Sequence, residues 1–141
     1  MVRKVEEITI SAETDSIEGS FAKLAINLFE IVVDTSQINP IITKTIILKS
    51  ISMENLLYLF LKRFYDLANN ELFLVSAVKK VTIERVAGNY LLDAVVVGDK
   101  MNQEYNIKDI VKQITERNIK IKEDRNGTNA QINIVVERRN I

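Results

Sequence analysis

The residue types that this chain lacks decide much of the chemistry open to it. Its 141 residues include no cysteine and no histidine. Disulfides, thiolate zinc sites, cysteine nucleophiles and catalysis by a histidine base are therefore excluded. The four glycines are isolated from one another, so no glycine-rich phosphate loop is formed. A site in this protein must be built from carboxylates, lysines, tyrosines and hydroxyl groups.

Acidic residues at two places are candidates for binding a cation or a partner. Glu6 and Glu7 are adjacent in a predicted strand, and neighbouring strand residues face opposite sides, so only one of them faces any given site. Each is either a metal or partner ligand or a solvated carboxylate on an edge strand. Asp34 follows a predicted helix, where its side chain either binds a ligand or accepts hydrogen bonds from the nearby backbone.

Basic and aromatic residues form a second set of candidates. Lys112 lies in a predicted strand and points either to solvent or into a site. Tyr58, Lys62 and Tyr65 share one face of a predicted helix. Such a face either holds a partner or stacks on bases, or it borders the core with its hydroxyl groups in water. The pair Arg138–Arg139 is expected to be solvated, because chain ends are usually poorly held.

Strands and two amphipathic helices must position these residues. Alternating apolar residues predict a first strand at about residues 4–12. Asp15 stands three residues before Glu18, which is the spacing of a capping box, and an apolar stripe at helical spacing follows it. A strand rich in β-branched residues is predicted at about residues 42–50. Ser52 is the expected N-cap of the second helix.

The second half of the chain has the pattern of strands joined by hairpins. A short strand or extended connection is predicted at residues 72–75, and β-structure continues from Lys80 with a turn at residues 87–89. The Asn-Gly pair at residues 126–127 is the strongest hairpin signal. Two helices combined with consecutive hairpins indicate an α+β fold with a mainly antiparallel sheet. The last strand is expected to place three apolar side chains inward: Ile132, Ile134 and Val136.

Length, charge and hydropathy limit the class of protein. A chain of this length is expected to form a single domain over residues 1–141. Nineteen basic and nineteen acidic residues give a net charge of zero, which argues against binding nucleic acid by bulk charge alone. The first residues contain no apolar stretch of signal-peptide length, and the longest apolar stretches are too short to cross a bilayer. A cytoplasmic protein with no membrane association is therefore expected.

Three segments together resemble one known family. SIEGSFAKLAINLFEIVVDTS at residues 16–36 is similar to the first helix of the archease family. SMENLLYLFLKRFYDLANNELFLVS at residues 52–76 is similar to its second helix, and KDIVKQITERNIKI at residues 108–121 to a later strand. The order and spacing of the three segments carry the resemblance over nearly the whole chain.

The resemblance implies both a fold and a function. The fold is α+β, with two helices packed on a mainly antiparallel, archease-like sheet. Archeases are accessory proteins, not enzymes, and they stimulate guanylylation and turnover of the GTP-dependent RNA-splicing ligase in tRNA splicing and related RNA repair. The implied partner is this ligase, and RNA is reached only through the partner. The implied cofactor is a divalent metal, typically calcium.

The family's functional residues are transferred one at a time. Glu7 stands where the family has the metal-binding Asp of its HTAD motif, Lys112 falls on a lysine that matters for ligase stimulation, and Arg117 falls on a family histidine. Glu137 is the preferred match for a metal-binding Asp near the C-terminus. A second possible alignment instead matches Asn140–Ile141 to the Asp-Ile pair that ends the family's sequence.

The resemblance therefore implies a metal site formed by Glu7 and Glu137, with Asp34 as a third candidate ligand, and Lys112 as the residue that acts on the partner. Exchanging Asp for Glu keeps the charge that hard cations need but lengthens the side chain by one methylene. Two alternatives stay open. One is a diverged paralogue that acts as a metal-independent protein-binding or chaperone-like module, and the other is a small metal-dependent enzyme that uses Glu7 and Glu137.

Overall fold

The chain forms two helices and seven strands within residues 3–139, the part that a computed structural model describes. A short 3-10 helix at Thr35–Gln37 follows the first helix. In chain order the main elements are β1 (Lys4–Thr14), α1 (Ile17–Val32), β2 (Ile42–Ser50), α2 (Met53–Asn69), β3 (Phe73–Val86), β4 (Asn89–Lys100), β5 (Ile110–Ile114), β6 (Lys120–Asp124) and β7 (Gly127–Arg138).

The strands form two antiparallel sheets. In the first sheet β7 is central, with β1 on one side and with β5 and β6 on the other. The second sheet has the order β2-β4-β3. The α+β class and the antiparallel pairing are confirmed, but the strands divide into two sheets rather than one. Because β7 pairs with both β1 and β5, residues from both ends of the chain become neighbours.

Serine side chains begin both helices. The Ser16 hydroxyl accepts a hydrogen bond from the Gly19 N–H at 3.0 Å, so Ser16 is the N-cap of α1. The sequence had favoured Asp15, which lies one residue too early. Ser52 caps α2 as expected, accepting from the Asn55 N–H at 3.1 Å. Neither helix in the described part of the chain is long and apolar enough to cross a membrane.

A ridge of phenylalanine rings holds the helices to each other. Phe21 of α1 lies 5.7 Å from Phe60 of α2, measured between ring centroids, and Phe29 lies 6.0 Å from Phe64. Phe60 and Phe64 are themselves 4.8 Å apart with their planes inclined at 65°. All four side chains are fully buried, and such inclined pairs add to the free energy gained from burying the rings.

The last strand supplies the sheet side of this core. Ile132, Ile134 and Val136 have no exposed surface, as the alternation predicted. The turn into β7 requires glycine, because Gly127 has φ of +133° and a Cβ there would lie 2.3 Å from the carbonyl oxygen of Thr14. The position of β7, the strand that carries Glu137, is therefore set both by the burial of its apolar side chains and by the turn that precedes it.

Candidate functional site

Glu7 and Glu137 lie on the same face of the first sheet. In the β1–β7 register Glu7 is opposite Val135, and Glu137 is opposite Val5. Opposite residues of an antiparallel pair share a face, and so do residues two apart in one strand. The two glutamates are therefore diagonal neighbours on the face that points away from the buried side chains of β7.

Each of these two glutamates is bound by a different arginine. Glu7 accepts hydrogen bonds from the Asn133 amide at 2.9 Å and from the Arg117 guanidinium at 3.1 Å. The Glu137 carboxylate lies 3.7 Å from the guanidinium of Arg3, and its side chain is only 11% exposed. The topology thus brings the two carboxylates to one face, but each of them pairs with an arginine guanidinium.

Asp34 lies elsewhere, at the end of α1. Its carboxylate caps the 3-10 helix, accepting from the Ser36 hydroxyl at 2.7 Å and the Ser36 N–H at 3.1 Å. These bonds hold the pKa of the Asp34 carboxyl below its ordinary value. Asp34 shares a small surface pocket with Glu104 and Lys108, not with Glu7. The backbone-bonding role that the sequence allowed for Asp34 is the one it has here.

The carboxylates do not form a metal-binding group in the described structure. Within residues 3–139, no three Asp, Glu, His or Cys side chains lie close enough together to hold an ion. Glu7 and Glu137 supply two carboxylates, and each forms an ion pair with an arginine. The alternative ligands Asn140 and Ile141 lie outside the described residues. These donors do not fit a divalent cation as they stand, and the assignment of metal ligands stays a prediction.

Lys112 lies at a break in the pairing of β5 with β7. Val111 is opposite Val136, but the next pair is Gln113 with Val135, so Lys112 is an extra residue in its strand. Such a bulge redirects the side chain that it contains. Lys112 is exposed, and it lines a cleft against α2. Lys112 therefore lies at a cleft with α2 and forms no ion pair with Glu7 or Glu137.

This cleft, here called the Tyr–Lys cleft, has a volume of about 360 Å³. One wall comes from α2 and the other from β5 and the segment that follows it. Besides Lys112 and Arg117, the cleft is lined by Tyr58, Lys62, Tyr65, Gln113, Ile114, Thr115 and Glu116. The tyrosine and lysine face predicted on the second helix is thus confirmed as a surface, and it lies opposite Lys112.

Arg117 connects the cleft to the carboxylate face. It lines the cleft, and its guanidinium also donates to Glu7. Lys62 is held over the ring of Tyr65, with its ammonium 4.3 Å from the ring centroid, and it pairs with Asp66 at 3.2 Å. Lys112 forms no ion pair with any of the described residues. Of the three cations, Lys112 is therefore the one whose charge is free for a ligand or partner.

Arg138 is not the solvated chain end that the sequence suggested. Its guanidinium donates to Glu6 at 2.9 Å and to Asp109 at 3.1 Å, and the Arg139 N–H donates to Asp109 at 2.9 Å. Lys4 lies 3.5 Å from the second oxygen of Glu6. These residues cross-link β1, β7 and the start of β5. The expectation failed because the partners of Arg138 lie 29 and 132 residues away in sequence.

The same contacts set the protonation of this charged cluster. The hydrogen bond from Arg138 holds the pKa of the Glu6 carboxyl below its ordinary value. Burial alone would raise the pKa of Asp109, but the bonds from the Arg139 N–H and the Arg138 guanidinium outweigh it and keep that pKa low. The Glu6 and Asp109 carboxylates in turn raise the pKa of Arg138. All three groups are charged at neutral pH.

The geometry describes a two-helix, antiparallel α+β protein whose candidate site is an exposed cationic cleft. Comparison with known proteins gives the family. Residues 7–136 match the model of the Archease protein family (MTH1598/TM1083). The chain is 33% identical to Protein archease of Pyrococcus furiosus and 30% identical to that of Thermococcus kodakarensis, in each case over 116 residues that cover 82% of this chain and 81% of the relative. The chain belongs to the archease family.

A solved structure supports the fold independently. The solution structure of Methanobacterium thermoautotrophicum protein 1598 superposes with a TM-score of 0.79 at 19% identity, covering 94% of this chain and 96% of that one. At this level of identity the likeness shows the fold. Family membership supports an archease-like accessory protein.

Proposed function

We propose that this protein is an accessory factor of the GTP-dependent RNA-splicing ligase, promoting guanylylation and turnover of that enzyme without being an enzyme itself. The proposal rests on one observation. Lys112, at the position where the resemblance has the family's stimulatory lysine, is exposed at a β-bulge and lines a cleft.

The cleft suggests how the factor acts. A lysine ammonium is a compact, mobile point charge that binds phosphate well. Placed at the ligase active site, Lys112 would neutralise charge on the phosphates of the bound nucleotide as guanylylation proceeds. Arg117, held in place by Glu7, borders the same cleft. The net charge of zero is consistent with this role, because the ligase holds the RNA. We expect both proteins to act in the cytoplasm.

A second candidate function follows from the ion pairs on the carboxylate face. Glu7 and Glu137 are each bound by an arginine, so this face already carries its own cations. That arrangement favours a metal-independent binding or chaperone-like module. The two functions differ in their need for the ligase and for a divalent ion.

An assay with the cognate ligase separates the two functions. The ligase, GTP and RNA ends are incubated with and without this protein, and guanylylated ligase and joined RNA are measured over several turnovers. We expect faster guanylylation and more than one turnover per ligase. No stimulation, under conditions in which another archease stimulates its own ligase, would reject the accessory function and favour the module.

Two lysine variants locate the effect. Lys112→Ala should remove most of the stimulation, about tenfold or more if the lysine forms one charge-assisted contact. Lys49→Ala is the matched control, because Lys49 is also an exposed lysine in a strand but belongs to the second sheet. Equal loss in both variants would mean that the cleft is not the working surface.

A further inference from the structure

The two walls of the Tyr–Lys cleft differ in chemistry. The α2 wall presents the rings of Tyr58 and Tyr65, which are half-buried and pack against the core. The Lys62 ammonium lies over the Tyr65 ring, 4.3 Å from its centroid, so a base that stacks on Tyr65 displaces this long side chain. The opposite wall presents Lys112, whose ammonium forms no ion pair within residues 3–139. An aromatic surface facing a cation suits a ligand that has a planar ring at one end and an anion at the other.

The basic side chains that line the cleft can bind an anion in addition to their present carboxylate partners. Lys62 and Arg117 each have a carboxylate partner, Asp66 and Glu7. A guanidinium has five N–H donors, and Arg117 uses one group of them on Glu7, so further donors remain for a ligand. Lys112 and Arg117 line the same cleft, so both are available to the oxygens of a phosphate bound there. Glu116 adds a carboxylate that accepts hydrogen bonds from the amino or imino groups of a base.

We propose that the Tyr–Lys cleft binds a nucleoside phosphate, with the base against the tyrosines and the phosphate between Lys112 and Arg117. The source is either a free nucleotide or the phosphorylated end of an RNA chain. The volume of about 360 Å³ lies in the range of small-molecule sites. This inference does not depend on ligase stimulation, because it concerns what the isolated protein binds.

Binding is measured on the isolated protein by calorimetry, with guanosine monophosphate, guanosine and inorganic phosphate as separate probes. Guanosine monophosphate should bind more tightly than either fragment, because only it engages both walls. Amide NMR signals should shift for residues 112–117 and not for residues 18–22 of α1. Equal affinity for phosphate and for the nucleotide would overturn the contact with the tyrosines, and no binding of the nucleotide would overturn the site.

Variants test each wall. Lys112→Ala should weaken nucleotide binding about tenfold, and Tyr65→Leu about fivefold or more. Lys49→Ala should leave the affinity unchanged. Because Tyr65 also packs against the core, Tyr65→Phe keeps the ring and should restore most of the affinity. Binding that none of the cleft variants alters would place the nucleotide elsewhere and overturn the assignment.

A short RNA assigns the source of the ligand. A five-nucleotide RNA with a terminal phosphate is compared with the mononucleotide and with the same RNA lacking that phosphate. Phosphate-dependent binding of the RNA supports a chain end as ligand, and preference for the mononucleotide supports a free nucleotide. RNA binding that ignores both the phosphate and Lys112→Ala would contradict the proposed phosphate contact.

Discussion

Asp109→Asn is predicted to destabilise the fold through the charged cluster that joins both ends of the chain. One oxygen of Asp109 accepts from the Arg139 N–H at 2.9 Å and the other from the Arg138 guanidinium at 3.1 Å. The Asp109 side chain is 20% exposed, so solvent screens this interaction only in part. The asparagine keeps one oxygen as an acceptor but has no charge to offer Arg138.

The size of the effect follows from these contacts. Losing one charge-assisted hydrogen bond in a partly buried position should lower the free energy of unfolding by about 1–2 kcal/mol at neutral pH. For a chain of this size that corresponds to a fall in Tm of about 3–6 °C. Asp93→Asn is the matched control, since Asp93 is an exposed strand residue whose side chain forms no ion pair with the described residues.

The pH dependence gives a second test of the same contact. The pKa of Asp109 is lowered in the folded protein, so its stabilising effect is present above the unfolded value of about 4 and is lost as the pH falls through the folded pKa. The stabilities of wild type and Asp109→Asn in urea denaturation should therefore differ at about pH 7 and converge as the pH falls through the folded pKa of Asp109. Equal stability at neutral pH, or a difference that persists in acid, would refute the assigned ion pair.

Three further predictions concern the core, a turn and the metal. Phe60→Ala should lower the free energy of unfolding by about 3–5 kcal/mol, because the ring is fully buried between the helices; a loss below about 1 kcal/mol in urea denaturation would contradict the packing. Gly127→Ala should lower Tm more than Gly88→Ala, because only the first would press a Cβ against the Thr14 carbonyl oxygen; equal melting curves would contradict this turn. Because Arg117 already pairs with the Glu7 carboxylate, calorimetric titration with calcium should show the same weak binding in wild type and in Glu7→Gln; clearly weaker binding in Glu7→Gln would make Glu7 a metal ligand.

The period of the apolar residues predicted the local elements well but not their pairing. Residues two apart in the last strand were expected to face inward, and Ile132, Ile134 and Val136 are fully buried. The long strand β3 was instead predicted as two pieces. Its register shifts between Val75 and Ala77 and again between Val78 and Lys80, and each bulge resets the alternation on which the prediction depended.

The pattern of apolar residues could not predict that the strands divide into two sheets. The pairing of β1 with β7 joins segments more than a hundred residues apart, and no local signal specifies which distant strand is the partner. The pattern of helices and consecutive hairpins was sufficient for the α+β class with antiparallel pairing, and the resemblance to a known family agreed with it, but neither indicated two separate sheets.

The candidate site was predictable on its helical side only. Helical spacing placed Tyr58, Lys62 and Tyr65 on one face, and they line the cleft together. The direction of Lys112 was not predictable, because it depends on a bulge that exists only when β5 pairs with β7. The interaction of Glu7 with Arg117 was likewise missed as a contact, although both positions had been singled out by the resemblance.

Site-specific crosslinking tests most directly whether the Tyr–Lys cleft faces the ligase. The chain has no cysteine, so one introduced thiol carries a photo-crosslinker at a single place. Glu116→Cys puts it at the exposed edge of the cleft, and Thr45→Cys puts it on an exposed strand of the second sheet. We predict that illumination with the cognate ligase crosslinks the Glu116→Cys protein and not the Thr45→Cys protein. Crosslinking from Thr45→Cys alone, with the cleft unlabelled, would contradict the proposed working surface.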